Sequence, residues 1–225
     1  MIFSSPLFAL DPKKRITQYD IRVYKAKDGL PMNDMKDVFQ DSKGYLWLAC
    51  QEGFVRFDGA RFVLFDKSNC PGLRENFIYD IEEDWQGNLW LATNGGGVSR
   101  FDGKSCTTFD TSNGLASNVV KRILLGRDHT IWFGTENGVT RLKNGVFSSY
   151  KFSNTLGPQE IYALYEDRWG DLLVGSAQAG LHVIRNDSTL TLPTEEHIIF
   201  FSERVTGEII LGSASGKLFV YYRNS

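Results

Sequence analysis

Hydrophobic residues along this chain fall in short runs broken by polar turns that carry glycine. One set of runs, "DVFQD", "IYDIEED", "KRILLG" and "IYALYED", is apolar and rich in β-branched residues. A tight turn follows most of them ("DSKG", "DWQG", "RWGD"), and then a second run: "YLWLAC", "NLWLAT", "TIWFGT", "DLLVGS" or "EIILGS". A third begins on glycine, as in "GFVRFD", "GVSRFD", "GVTRLK", "GLHVIR" and "GKLFVYY", and a shorter fourth ends on Phe65, Phe109 or Tyr150. Near-continuous apolar runs such as the second predict strands whose sheet is covered on both faces. No segment keeps apolar spacing of three and four for more than about two turns, and glycine interrupts each candidate, so helices are not expected.

The runs recur with a period. Trp47, Trp90 and Trp132 stand 43 and 42 positions apart, and the same step reaches Leu173 and then Ile210. Periods of about 40–45 residues with glycine and aromatic markers predict four-stranded propeller blades. One such sheet cannot bury both faces alone, so it is repeated. Trp47, Trp90 and Trp132 are then packing pieces between blades, each worth about 3–5 kcal/mol on truncation; sugar stacking is the alternative use. Tyr24 followed by "KAKDGLP" matches Phe65 and Phe109 with their following loops, which makes Ile16–Tyr24 a fourth strand lacking its own first three. "HIIFFSE", "EIILGSA" and "GKLFVYY" supply three strands lacking a fourth. The expectation is an all-β propeller of five blades over residues 16–225, closed by Ile16–Tyr24 beside Lys217–Tyr222. An open fragment of a seven-bladed propeller in the same register is the alternative. Residues 1–15 read as a tail whose apolar "MIFSSPLFAL" looks like the remnant of an export signal, or else packs as a plain N-terminal tail.

Composition narrows the chemistry. A net charge of −2 over 225 residues supplies no basic field for nucleic acid, and no run of about 18 apolar residues predicts a membrane span. Cys50, Cys70 and Cys106 have neither metal spacing nor a disulfide framework, and Cys50 and Cys106 read as small buried hydrophobes. His129, His182 and His197 fall at unrelated points of their repeats, so no metal or other cofactor is expected. The remaining enzyme reading is a five-bladed glycosidase using a carboxylate pair drawn from Asp34, Asp37, Glu52 and Asp80.

In propellers generally, ligands meet the face where the loops after the second and fourth strands open. Those loops carry Asn33, Asn76, Asn118 and Gln159, and Gln51, Glu52, Asn94, Glu136, Asn137 and Gln178. Amides both donate and accept, which suits neutral polyhydroxylated ligands; the competing reading is that Asn33, Asn76 and Asn118 cap backbone. Arg56, Arg100 and Arg141 recur at one place in the third strand and are expected to contact a carboxylate of the neighbouring repeat.

"DGLPMNDMKDVFQDSKGYLWLACQEGFVRFDG" resembles the two-component regulator propeller repeat, with three strong copies and two weaker ones. The resemblance implies a propeller of the kind that serves as the extracytoplasmic sensor of bacterial hybrid histidine kinases and diguanylate cyclases, often recognising oligosaccharides. It implies a periplasmic or extracellular, non-catalytic, ligand-binding protein for an oligosaccharide or other polar small molecule. The alternatives are a scaffold that binds a protein partner, and a cytoplasmic location.

Overall fold

The computed structural model describes residues 22–32, 34–152, 159–177, 180–192, 194 and 196–223. Its strands run in repeat order. The first sheet holds β1 (Met35–Gln40), β2 (Leu46–Cys50), β3 (Phe54–Phe57) and β4 (Phe62–Phe65). The second holds β5 (Ile78–Glu83), β6 (Leu89–Thr93), β7 (Val98–Phe101) and β8 (Cys106–Phe109). The third is β9 (Val120–Leu125), β10 (Ile131–Thr135), β11 (Gly138–Lys143) and β12 (Val146–Tyr150), and the fourth is β13 (Ile161–Glu166), β14 (Leu172–Ser176), β15 (Gly180–Arg185) and β16 (Ser188–Leu192). The fifth has three strands among the described residues: β17 (Ile198–Glu203), β18 (Ile209–Ser213) and β19 (Leu218–Tyr221). Every pairing within a sheet is antiparallel between strands adjacent in sequence, the propeller-blade arrangement that the period predicts.

The core lies between sheets. Trp47, Ala49 and Phe54 of the first pack against Ile78, Ile81, Leu91 and Phe101 of the second. Comparable clusters join the second to the third, the third to the fourth and the fourth to the fifth. Trp47 and Trp90 are 5% and 3% exposed, as packing pieces should be.

A carboxylate fixes each of these two indoles. Asp41 Oδ1 accepts from the backbone N–H of Lys43 and Tyr45, closing the turn between β1 and β2, while its Oδ2 accepts from Trp47 Nε1 at 2.8 Å. Asp84 repeats this with Gln86, Asn88 and Trp90 Nε1 at 2.9 Å. In the fourth sheet Asp167 Oδ1 still ties the turn through Trp169 and Asp171, but Leu173 stands where the indole would be. Asp167 Oδ2 is consequently buried without a partner among the described residues. In the third, Gly126 replaces the aspartate, and His129 adopts φ 62° where the other turns use Gly44, Gly87 and Gly170.

Glycine is required on the opposite side. Gly53 and Gly97 open β3 and β7 with φ of 149° and 88°, and a Cβ on either would lie 2.0 Å from the carbonyl oxygen of Phe65 or Phe109.

A polar pair crosses the third and fourth strands of three sheets: Ser99–Thr108 at 2.7 Å, Thr140–Ser149 at 2.9 Å, and His182 Nδ1–Thr191 Oγ1 at 2.9 Å. His182 is fully buried and stacked on Phe152 at 3.8 Å.

Of the expected closing strand, residues 16–21 lie outside the described residues, and Arg22, Val23 and Tyr24 form no strand. Tyr24 nevertheless occupies the repeat position assigned to it. Its ring meets Phe57 edge-on at 5.0 Å, as Phe65 meets Phe101 at 5.4 Å in the next repeat. The turns Ala26–Asp28 and Thr111–Asn113 that follow such positions both end on a left-handed glycine, Gly29 and Gly114. On the far face of the fifth sheet Phe200, Leu218 and Val220 remain exposed, Leu218 by 73%. No core cluster among the described residues joins that face to the first sheet.

Asp84→Asn sets an amide N–H₂ against the Trp90 N–H and should cost about 1–3 kcal/mol, whereas Asp167→Asn opposes no donor and should change stability by less than about 0.5 kcal/mol; urea unfolding of both variants distinguishes them. Burial lowers the His182 pKa to about 4 from 6.5, so the folded state resists a proton that the unfolded chain accepts. The stability this group contributes is complete above pH 6.5 and declines as pH falls towards 4. His182→Thr, copying the third sheet, should flatten stability across that window in melts between pH 4 and 7.

Candidate functional site

The turns after the second strands share two recurring contacts. A small polar side chain ending that strand folds back on the turn: Cys50 Sγ donates to Gly53 O at 3.1 Å, Thr93 Oγ1 to Gly97 O at 2.7 Å and Thr135 Oγ1 to Gly138 O at 2.8 Å. The next residue then donates its backbone N–H to the segment before the first strand: Asn94 to Phe77 O, Glu136 to Val119 O, Ala177 to Glu160 O and Ala214 to His197 O, each at 3.0 Å. The backbone is constant there while the side chain varies.

Several of the expected ligand-binding residues turn out to brace the fold. Asn76 Oδ1 accepts from Lys67 N at 2.9 Å and Asn118 Oδ1 from Thr111 N at 2.8 Å, each bonding the start of its own loop. Gln159 does the equivalent for Phe152, whose N–H donates to Gln159 Oε1 at 2.8 Å. Gln51 Nε2 donates to Asp34 Oδ2 at 3.0 Å. Asn33 and Gln178 lie outside the described residues. Glu52, Asn94 and Asn137 are exposed and Glu136 half-buried, on the turns of the first three sheets.

The arginines divide. Arg141 pairs with Asp187 of the neighbouring sheet, as expected of all three. Arg56 instead lies over Tyr45 at 5.0 Å with its Nε buried and unpartnered, and Arg100 lies over Trp90 at 6.0 Å. The carboxylate partner expected for Arg56 and Arg100 is absent among the described residues, because neither neighbouring turn carries an aspartate at the place of Asp187.

A groove lies beside each of two of these arginines, one of about 380 Å³ beside Arg141 and Asp187 and one beside Arg100. Between the second and third sheets, on the side of the turns joining first and second strands, a cavity of about 350 Å³ is lined by Trp85, Arg100, His129 and Asn144. Trp85 is 48% exposed, and its ring lies 4.4 Å from that of His129 at a tilt of 40°. Gly145 stands there at the position that Asp187 holds in the next groove, and a Cβ on it would meet nothing within 4 Å.

The inner strands carry acid. Asp37 Oδ2 accepts from Ile81 N at 3.2 Å and Asp80 Oδ2 from Ile123 N at 2.7 Å, so each carboxyl ties its strand to the first strand of the next sheet. Burial, then the neighbouring Asp37, pushes the Asp80 carboxyl up. Burial, then Asp80 and Asp37, raises Glu82 to about 7. Among the described residues no group of three or more histidine, cysteine or acidic side chains could hold a metal, and no helix is long and apolar enough to cross a membrane. A carboxyl held protonated by the fold binds its proton more tightly than the unfolded chain does, so stability falls as pH rises from about 4.5 to 7. Glu82→Gln should therefore raise the melting temperature at pH 8 more than at pH 4.5.

The model of the two component regulator propeller family matches residues 72–95 and 114–137. No curated protein matches the chain. Among solved structures, the chain is similar to the extracellular domain of the hybrid two component system BT3049 from B. thetaiotaomicron, with 23% identity and a TM-score of 0.78. That likeness covers 90% of this chain and 30% of the other, so the chain spans about a third of its length. Streptogramin B lyase is similar at 14% identity and TM-score 0.64, covering 86% of this chain and 71% of the lyase. PorZ, a surface component of the type-IX secretion system of Porphyromonas gingivalis, is similar at 13% identity and TM-score 0.65, covering 83% of this chain and 32% of PorZ. At these identities the likeness concerns the propeller fold. The chain thus carries repeats of the two component regulator propeller family.

Proposed function

We propose that this propeller is a non-catalytic, sensor-type binding module working outside the cytoplasm, and that its ligand is polar and carbohydrate-like. The observation that carries the reading is the turn after the second strand. In the second to fifth sheets its backbone is fixed by one repeated hydrogen bond, yet the donating residue changes from Asn94 to Glu136 to Ala177 and Ala214, the pattern of a recognition surface on a rigid scaffold. Asn94, Asn137, Glu136 and Glu52 supply donors and acceptors there, and Gln51 joins them through Asp34. Each hydroxyl of a sugar leaves good hydration, so affinity requires several of these groups to converge. Asp37 and Asp80 each accept a backbone N–H of the next sheet, a structural use that supports binding without hydrolysis. The likeness to the extracellular domain of a two component system supports the location.

A second placement of the ligand is favoured by the groove between the second and third sheets. An exposed indole offers a stacking face, and Arg100 is without the carboxylate that its counterpart Arg141 has. An acidic sugar fits that pairing of charge and apolar face.

An array of neutral and acidic oligosaccharides, followed by titration of the tightest binder, tests both placements. Asn94→Ala and Glu136→Ala should each weaken binding about tenfold with unchanged melting, while Asn76→Ala should lower melting. If Arg100→Met abolishes binding and Asn94→Ala does not, the ligand sits in the groove. Turnover of any glycan overturns the non-catalytic reading. Silence across the array, with a protein captured by its outer rim, favours the scaffold.

A further inference from the structure

The loop between β4 and β5 differs from its counterpart in the next repeat by a two-residue insertion: "DKSNCPGL" against "DTSNGL". The inserted pair is Cys70-Pro71. Its segment lies along β8, the outer strand of the second sheet, where Cys106 N donates to Pro71 O at 2.7 Å and Thr108 Oγ1 to Gly72 O at 2.8 Å. Cys106 opens that strand, so the insertion carries one sulfur onto another 36 residues away. The Sγ atoms are 3.2 Å apart, and both side chains are buried in the cluster between the first two sheets. The third sheet has Phe147 at the place of Cys106, and no cysteine in the preceding loop.

We propose that Cys70 and Cys106 are a disulfide-forming pair, closed when the protein folds in an oxidising compartment, and that the bond fastens the β4–β5 crossover to β8. A bond of about 2.05 Å needs the sulfurs to approach by roughly 1 Å, which the crossover can supply because Cys70 sits in a turn and not in a strand. In the reaction one thiolate attacks a small-molecule or protein disulfide, giving a mixed disulfide. The second thiolate then displaces that partner as its thiol. The two cysteines lose two protons and two electrons, and the external disulfide is reduced to two thiols. Cys50 is outside the pair: its Sγ donates to Gly53 O at 3.1 Å in the first sheet.

Burial pushes both thiols up, Cys106 further than Cys70, so the reduced and folded protein holds little thiolate. Closure is therefore expected during folding, before the cluster is sealed, and oxidation of the protein once folded and reduced is expected to be slow. The inference does not depend on what the propeller binds.

The test refolds the full chain from denaturant in a buffer of reduced and oxidised glutathione, quenches with acid, and counts thiols in denaturant alongside peptide mapping. The expected result is loss of two of the three thiols, one peptide pair containing Cys70 and Cys106, and Cys50 free. The same preparation should melt roughly 5–15 °C higher than the sample reduced with a phosphine. Three thiols remaining after refolding, or links that include Cys50, overturn the pairing. A Cys70–Cys106 bond that leaves the melting temperature unchanged overturns the fastening.

Discussion

A buried carboxylate accepting from a turn with one oxygen and from an indole with the other underlies the first two sheets. Asp41 and Asp84 each hold two backbone N–H groups through Oδ1 and the tryptophan Nε1 through Oδ2. The turn and the second strand are thereby locked together, and the direction of the indole is set. That direction matters between sheets, since Trp47 meets Phe101 at 6.1 Å and Trp90 meets Phe133 at 5.5 Å across the junctions. A charged acceptor in a site shielded from water is strong when filled and costly when not. Order within one blade and order between blades thus share a single group. The fourth sheet shows the complement: with Leu173 in place of tryptophan, the turn survives on Oδ1 and the other oxygen is stranded.

Much of this architecture was legible because a propeller writes its packing as a period. Strand order, the burial of Trp47 and Trp90, and the equivalence of Tyr24 with Phe65 all follow from spacing alone. Polar groups were less legible, since a side chain's type does not say which partner it reaches. Asn76 and Asn118 look like ligand-facing amides in sequence, yet they bond Lys67 N and Thr111 N and so shape their own loops. Glu83 reads as the end of a strand, yet it receives Ser42 N and Ser42 Oγ from the preceding sheet; Glu166 and Glu203 likewise reach back to Arg127 and Arg168. Repetition of that acid before the turn was the available signal. The approach of Cys70 to Cys106 carried none, because it depends on how a two-residue insertion drapes over a strand.

A division of labour between backbone and side chain emerges at the turns after the second strands. Glycine at Gly53 and Gly97 lets the chain pass against the carbonyl of the fourth strand, where any side chain would collide. The hydroxyl or thiol ending the second strand then holds the turn closed. With conformation secured by these groups, the intervening residues are free to differ without penalty to the fold. Exposed amides at such positions carry more information about a ligand than the amides recurring in the longer loops, whose hydrogen bonds are already committed.

The two grooves on the other side are of similar size and differ in whether their arginine has a carboxylate of its own. Arg141 and Arg100 hold equivalent places in β11 and β7, each over the tryptophan of the preceding strand. Asp187 lies in the turn after β15 and gives the first of these an ion pair, and Tyr150 Oη donates to the same carboxylate at 2.7 Å, while the groove of about 380 Å³ beside them stays open. The corresponding turn after β11 has Gly145, which offers neither charge nor bulk. Asp84 lines that second groove, but its oxygens already accept from Trp90, Gln86 and Asn88 and are not available to Arg100. A guanidinium beside an exposed indole, with no carboxylate of its own, is therefore the consequence of one residue in one turn. An aspartate introduced at Gly145 would pair with Arg100 as Asp187 pairs with Arg141 only if the left-handed backbone there, φ 78°, were tolerated, and aspartate is among the few residues for which that conformation is accessible.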